Sequence, residues 1–370
     1  MTWFTAADCR LADFRALVEQ ETDATEYPHA SDVVQNVLIY DGRTLPNTPG
    51  VQSELARALM DGPGIVVFQG AFAADVVDRA TAVFTDLIAE QKAAGVVGGD
   101  HFAKPGANDR VWGALDKFAV RDPRTFADYY DNDILALISA AWLGTGYQLT
   151  SQINVVNPGG QAQVAHRDYH LGFMSQEQAL RYPAHIHELS PGLTLQGAVA
   201  HVDMPVETGP TLYLPHSQKY PPGYIAFHQP EFTAYFEANY VQLPLRKGDA
   251  AFFNPALFHG AGTNRSADVR RMANLLQVSS AFGRAMESVD RTAMSAALYP
   301  VLQAFEGNVA NVIAASAEGY AFPTNLDRDQ PIGGLAPQTQ AELVSQALAE
   351  KWDADTFTKA LHDQGERRRS

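Results

Sequence analysis

The sequence predicts an α+β protein, with a β-rich core near 147–282 between helical flanks. Three observations lead there. Between Tyr147 and Phe282, short runs rich in β-branched and aromatic residues alternate with Gly, Pro and Asn turn residues, the pattern of a β-sandwich or barrel. Upstream, 74–91 repeats its apolar residues at helical spacing, with Val77, Ala80, Phe84 and Ile88 on one face. From about Met286 the helical pattern returns.

In chain order, 1–50 reads as an irregular lead-in with one short helix at 9–21, followed by a helix at 51–60. GIVVFQG at 64–70 is a glycine-bounded apolar run, hence a buried strand. The span 125–143 is helical, and its apolar end from Ile134 is too short to cross a membrane. The β runs follow at 147–157, 163–166, 193–203, 211–215, 240–245, 249–254 and 270–282. A helix at 337–351 has Pro337 at its start, a position proline favours. No repeat or flexible linker interrupts the 370 residues, which read as one domain: a core at 147–283, a helical N-terminal flank at 1–146 and a helical extension at 284–370.

The net charge of −15 argues against nucleic acid and against an anionic lipid surface. It leaves room for a small anionic substrate in a locally basic pocket. Cys9 is the only cysteine, so no internal disulfide forms. With no basic-then-apolar leader and no long apolar run, the expectation is a cytoplasmic protein acting on a small molecule, of unassigned oligomeric state.

Two segments carry candidate chemistry. In AHRDYH at 165–170, His166 and Asp168 are two apart and share a strand face, while Arg167 points away. Alone, this spacing is more often a polar strand end than a site. The second segment, FFNPALFHGAGTNRSADVRR at 252–271, has His259 after an apolar strand and Arg270 eleven positions on. A hairpin-like return would put these two on neighbouring strands. Two histidines and a carboxylate form the facial triad of non-haem iron oxygenases, which leaves three metal positions open. A zinc or manganese hydrolase could use the same three ligands. An arginine nearby suits a carboxylate, which its planar fork grips with two hydrogen bonds.

These segments, with VETGPTLYLPHSQK at 206–219, resemble the phytanoyl-CoA dioxygenase superfamily of Fe(II)/2-oxoglutarate oxygenases, in order and spacing over about 65–283. ALMDGPGIVVFQGAF at 58–72 is similar to an early strand of that family. The resemblance implies a double-stranded β-helix (jelly-roll, cupin-like) core. It also implies Fe(II) on His166, Asp168 and His259, with 2-oxoglutarate and O2 as co-substrates. It assigns Arg270 to the distal carboxylate of 2-oxoglutarate, with Arg271 as the rival one register step away. The run 147–160 resembles a strand of ectoine hydroxylases whose asparagine contacts the co-substrate. That matches Asn154 here, with Thr150 and Gln152 on the same face.

Tyr169, His170 and Phe173 follow the triad and are candidates for the substrate side, with core packing as the alternative. The chain departs from the pattern at His216, displaced within 215–218, and at Ala261, often serine. Halogenases of this kind lack the carboxylate, so Asp168 disfavours halogenation; the resemblance implies hydroxylation with release of succinate and CO2, and the sequence leaves desaturation and oxidative demethylation open. The pair His185 and His187 reads as a loop, His201 as a core histidine, and the terminal GERRRS as a solvated tail.

Overall fold

The structure, a computed structural model, describes residues 2–95 and 107–370. Among these, eleven strands build two sheets. In chain order they are β1 (Asp32–Val34), β2 (Val37–Asp41), β3 (Ile65–Gln69), β4 (Asn108–Val111), β5 (Gln148–Val156), β6 (Thr194–Ala200), β7 (Leu212–Leu214), β8 (Val241–Gln242), β9 (Ala250–Phe253), β10 (Phe258–Gly260) and β11 (Arg271–Ser279). The large sheet runs β1-β2-β3-β9-β6-β11-β5-β4, and the small one β10-β7-β8. All pairings are antiparallel except β2 with β3.

Strand alternation sorts side chains between two very different surroundings. On one face of the large sheet, Leu149 and Ile153 of β5, Leu195 and Val199 of β6, and Leu276 and Val278 of β11 join one apolar core with the flanking helices. Helices Ala74–Ala93, Pro123–Tyr130, Asp133–Leu143 and Arg291–Leu302 supply Phe84, Tyr129, Ile138 and Leu298 to it. The C-terminal helices Gln340–Ala349 and Ala354–Arg368 add Leu343 and Leu361 to the same core. Gly197 lies on this face, where a β-carbon would come within 2.4 Å of the Phe252 ring. Leu276 is fully buried at its centre. Leu276→Ala is expected to cost about 2–5 kcal/mol of stability, measurable by urea denaturation.

The opposite face of the large sheet meets the small sheet. At one end the two close on each other through Ile39, Val67, Ala251, Phe253, Tyr213 and Leu257. At the other they part around a cavity of about 1110 Å³. The outer side of the small sheet is covered by a second cluster that joins Leu212, Leu214 and Phe258 to Phe14, Phe232 and Phe236.

The fold is the expected α+β, jelly-roll type, with differences in detail. The strand expected at 64–70 is β3; the N-terminal flank also contributes β1, β2 and β4, which were not expected and extend the large sheet at both edges. The helical span 125–143 is two helices broken at Asp131 and Asn132, where Asn132 caps the second. The helix expected at 337–351 spans Gln340–Ala349 and does not start at Pro337. The 184–192 stretch is a short helix with His187 buried in it, not a loop. The basic C-terminus continues the helix Ala354–Arg368 rather than forming a tail. His201 is a satisfied core histidine, held by Tyr129 Oη at 3.0 Å and Thr81 Oγ1 at 2.8 Å.

Candidate metal centre

The site forms where residues 163–168 run alongside β10, at the edge of the small sheet. His166 and His259 pair as antiparallel neighbours, with N–H to carbonyl distances of 3.0 and 3.1 Å. The same pairing continues at Gln163 with Ala261, and Asp168 N–H donates to Pro255 O at 2.9 Å. These backbone bonds aim His166, Asp168 and His259 into the cavity, and one nitrogen or oxygen of each lies within 4.8 Å of the others.

Both imidazoles are held in one tautomer. His166 Nδ1 lies 2.8 Å from Val164 O, and His259 Nδ1 lies 2.8 Å from Leu257 O. A carbonyl only accepts, so each Nδ1 carries the proton and each Nε2 keeps its lone pair. Those Nε2 atoms lie 3.8 and 3.5 Å from the Asp168 carboxylate. Burial alone would raise the Asp168 carboxyl; the adjacent His166 and His259 rings and the hydrogen bond from Gln196 outweigh it and hold the group at about 2. Two neutral imidazoles and one ionised carboxylate on one side of a cavity fit a divalent cation with open positions.

Arg167 points away, as its parity requires. It is buried under the small sheet, where its guanidinium donates to Ser217 O and Tyr220 O and faces the rings of Tyr224 and Phe258 at 5.2 Å. Gly223 leaves room for it, since a β-carbon there would overlap the guanidinium.

The arginine assignment needs correction. β10 and β11 lie in different sheets, so His259 and Arg270 are not on neighbouring strands. Arg270 turns outward: its side chain is 55% exposed, and it bonds Asp109 Oδ2 at 2.8 Å and Asn157 Oδ1 at 3.1 Å. Arg271 opens β11 on the cavity face, in step with Ala273, Leu275 and Gln277. It is 6% exposed, and its one hydrogen bond is a long one to Gly262 O at 3.4 Å. No carboxylate pairs with it among the described residues. Burial lowers its guanidinium to about 10, so it stays charged near neutrality. A buried, unneutralised guanidinium facing a cavity calls for an anionic ligand.

Asn154 and Gln152 line the cavity on β5, as predicted. Asn154 Oδ1 is buried without a partner, and Gln152 accepts from Arg110. Thr150 shares their strand face, but its hydroxyl donates to Gln277 O at 3.2 Å and it does not reach the cavity. Tyr169, His170 and Phe173 all line the cavity; Tyr169 is buried and Phe173 stands exposed at the rim. Gln196, whose amide N–H donates to Asp168 Oδ2, was not anticipated. Its signal was available: it is the lone side-chain amide in the apolar run TLQGAVA. His185 and His187 belong to no metal-like cluster among the described residues.

Comparison with known proteins follows this geometry. The family model described as phytanoyl-CoA dioxygenase (PhyH) matches residues 60–272. Among solved structures, the chain is similar to the non-heme alpha ketoglutarate dependent epimerase SnoN from nogalamycin biosynthesis. That match has 20% identity, a TM-score of 0.42, and covers 63% of this chain and 84% of that one. The non-heme alpha ketoglutarate dependent carbocyclase SnoK from nogalamycin biosynthesis matches at 20% identity and TM-score 0.46, over 65% and 86% of the two chains. AviO1 from Streptomyces viridochromogenes Tue57 matches at 17% identity and TM-score 0.44, over 65% and 99%. No curated protein matches. The family model spans more than half of the chain, and the protein belongs to the phytanoyl-CoA dioxygenase (PhyH) family.

Proposed function

We propose that this protein is an Fe(II)- and 2-oxoglutarate-dependent dioxygenase that hydroxylates a small molecule. One observation carries the reading: a tautomer-fixed His–Asp–His cluster shares a cavity with a buried arginine that lacks a counter-ion. His166, Asp168 and His259 are the metal ligands, and Arg271 is the anchor for the distal carboxylate of 2-oxoglutarate. Asn154, beside Ala273 on the neighbouring strand, is placed to donate to the co-substrate. Fe(II) with 2-oxoglutarate supplies the oxidation: O2 is reduced, 2-oxoglutarate becomes succinate and CO2, and one oxygen atom enters a substrate C–H bond.

The protein's share is preorganisation. The two backbone carbonyls orient the imidazoles, so ligand geometry needs no reorganisation on metal entry. Arg271 sets which end of the 2-oxo acid lies deep, and the enclosing sheets keep bulk water from the reacting atoms. Tyr169, His170 and Phe173 are the residues proposed to meet the prime substrate. The cavity exceeds what 2-oxoglutarate alone needs, which supports a substrate bound beside it. The net charge of −15 supports a small-molecule partner over nucleic acid. No helix among the described residues is long and apolar enough to cross a membrane; we take the cytoplasm as the setting, and one domain as the unit.

The test is succinate release from 2-oxoglutarate with Fe(II) and O2 across a small-molecule panel, alongside anaerobic absorption spectra. Turnover with a visible metal-to-ligand band on adding 2-oxoglutarate is expected. A band without succinate under any substrate would point to a binding protein. Metal binding without a band would point to a hydrolase.

A further inference from the structure

Gln196 sits on β6 in the middle of the large sheet, bonded on one side to β9 and on the other to β11. It is 3% exposed, lines the cavity, and donates from Nε2 to Asp168 Oδ2. A carboxylate accepts and never donates, so this contact fixes which way the amide points. Its own Oε1 is buried with no partner among the described residues. The side chain gives up one hydrogen bond to keep the other, which marks the Asp168 contact as the one the site is built around.

We infer that Gln196 is a positioning residue that makes Asp168 a one-oxygen metal ligand. The inference rests on the metal reading above. Accepting the amide N–H weakens Oδ2 as a donor atom and fixes the rotation of the carboxylate, so Oδ1 is the stronger ligand for an ion. A carboxylate released from that bond can close on an ion with both oxygens and occupy a further position. The 2-oxo acid needs two positions and O2 a third, so a two-oxygen Asp168 leaves one too few. Loss of the amide N–H therefore weakens 2-oxoglutarate binding more than metal binding, which separates this role from simple support of the ligand.

The experiment uses the full chain with Co(II) as a spectroscopic stand-in, comparing wild type, Gln196→Met and Gln196→Ala. Methionine keeps the volume and removes the donor, so it carries the test if the alanine variant folds poorly. Expected for Gln196→Met are a melting temperature near wild type, Co(II) affinity reduced about 10-fold, at the low end of the range for residues that orient a metal ligand, an altered Co(II) visible spectrum before 2-oxoglutarate is added, and 2-oxoglutarate affinity reduced by a larger factor than that for Co(II). Unchanged affinities for both would overturn the inference. Equal losses of both would overturn it too, because they describe support of the ligand without control of its binding mode. Asp168→Ala serves as the control on the underlying reading: if it binds Co(II) like wild type, the metal assignment itself has failed, and not the role of Gln196.

Discussion

Asp168→Ala and His166→Ala are each expected to abolish metal-dependent succinate formation while leaving the protein folded. Residues that only orient metal ligands cost 10- to 100-fold in affinity when removed, so loss of a ligand is expected to cost more than ~100-fold. The fold tolerates both changes because neither side chain joins an apolar cluster. The strand-like pairing of His166 with His259 runs through backbone atoms, which alanine keeps. Asp168→Ala leaves the buried Gln196 amide without its acceptor, a cost of about 1–3 kcal/mol. It also removes a buried carboxylate, an offsetting gain in the metal-free protein. Metal titration and thermal melting of metal-free protein check the two halves separately. A variant that keeps wild-type succinate formation removes that residue from the metal site; one that loses its melting transition would mean the cluster is structural.

The placing of His166 beside Asp168 was legible because residues two apart on an extended chain share a face, and both face one cavity. The N-terminal strands other than β3 were hidden for local reasons. Gln35 and Asn36 form the tight turn between β1 and β2 with positive φ at both positions, a conformation usually marked by Asn-Gly. β4 is a short edge strand, Asn-Asp-Arg-Val, with no apolar alternation to announce it. The 163–166 run pairs only at its ends, so its strand character is in the bridge to β10 and not in a ladder of its own. The cavity face of this sheet is its polar face, which an apolar pattern does not announce, and that hid Gln196. Arg270 followed from its spacing after His259, but it falls in step with Met272, Leu276 and Val278, which pack against helices. The cavity-facing parity is the other one, Arg271 with Ala273, Leu275 and Gln277.

That parity gives a sharp contrast between neighbouring arginines. Truncating one partner of a buried, hydrogen-bonded charge pair costs about 2–5 kcal/mol, and each 1.4 kcal/mol is tenfold. Arg271→Ala is therefore expected to raise the KM for 2-oxoglutarate roughly 30-fold or more. Arg271→Lys should recover only part of this, because an ammonium lacks the planar fork that meets a carboxylate with two parallel bonds. Arg270→Ala breaks a pair whose arginine is 55% exposed. Pairs of that kind contribute about 0–1 kcal/mol, so its KM should stay within roughly threefold to fivefold of wild type. Stability supplies an independent readout. In the ligand-free protein Arg271 is a desolvated charge without a counter-ion, so Arg271→Met should melt at or above the wild-type temperature. A structural arginine would give the opposite sign. Added 2-oxoglutarate should then raise the melting temperature of metal-loaded wild type but not of Arg271→Met, because only a ligand that binds the folded state shifts the transition. If Arg270→Ala raises the KM and Arg271→Ala does not, β11 is in the other register and the anchor lies on the face that packs against the helices.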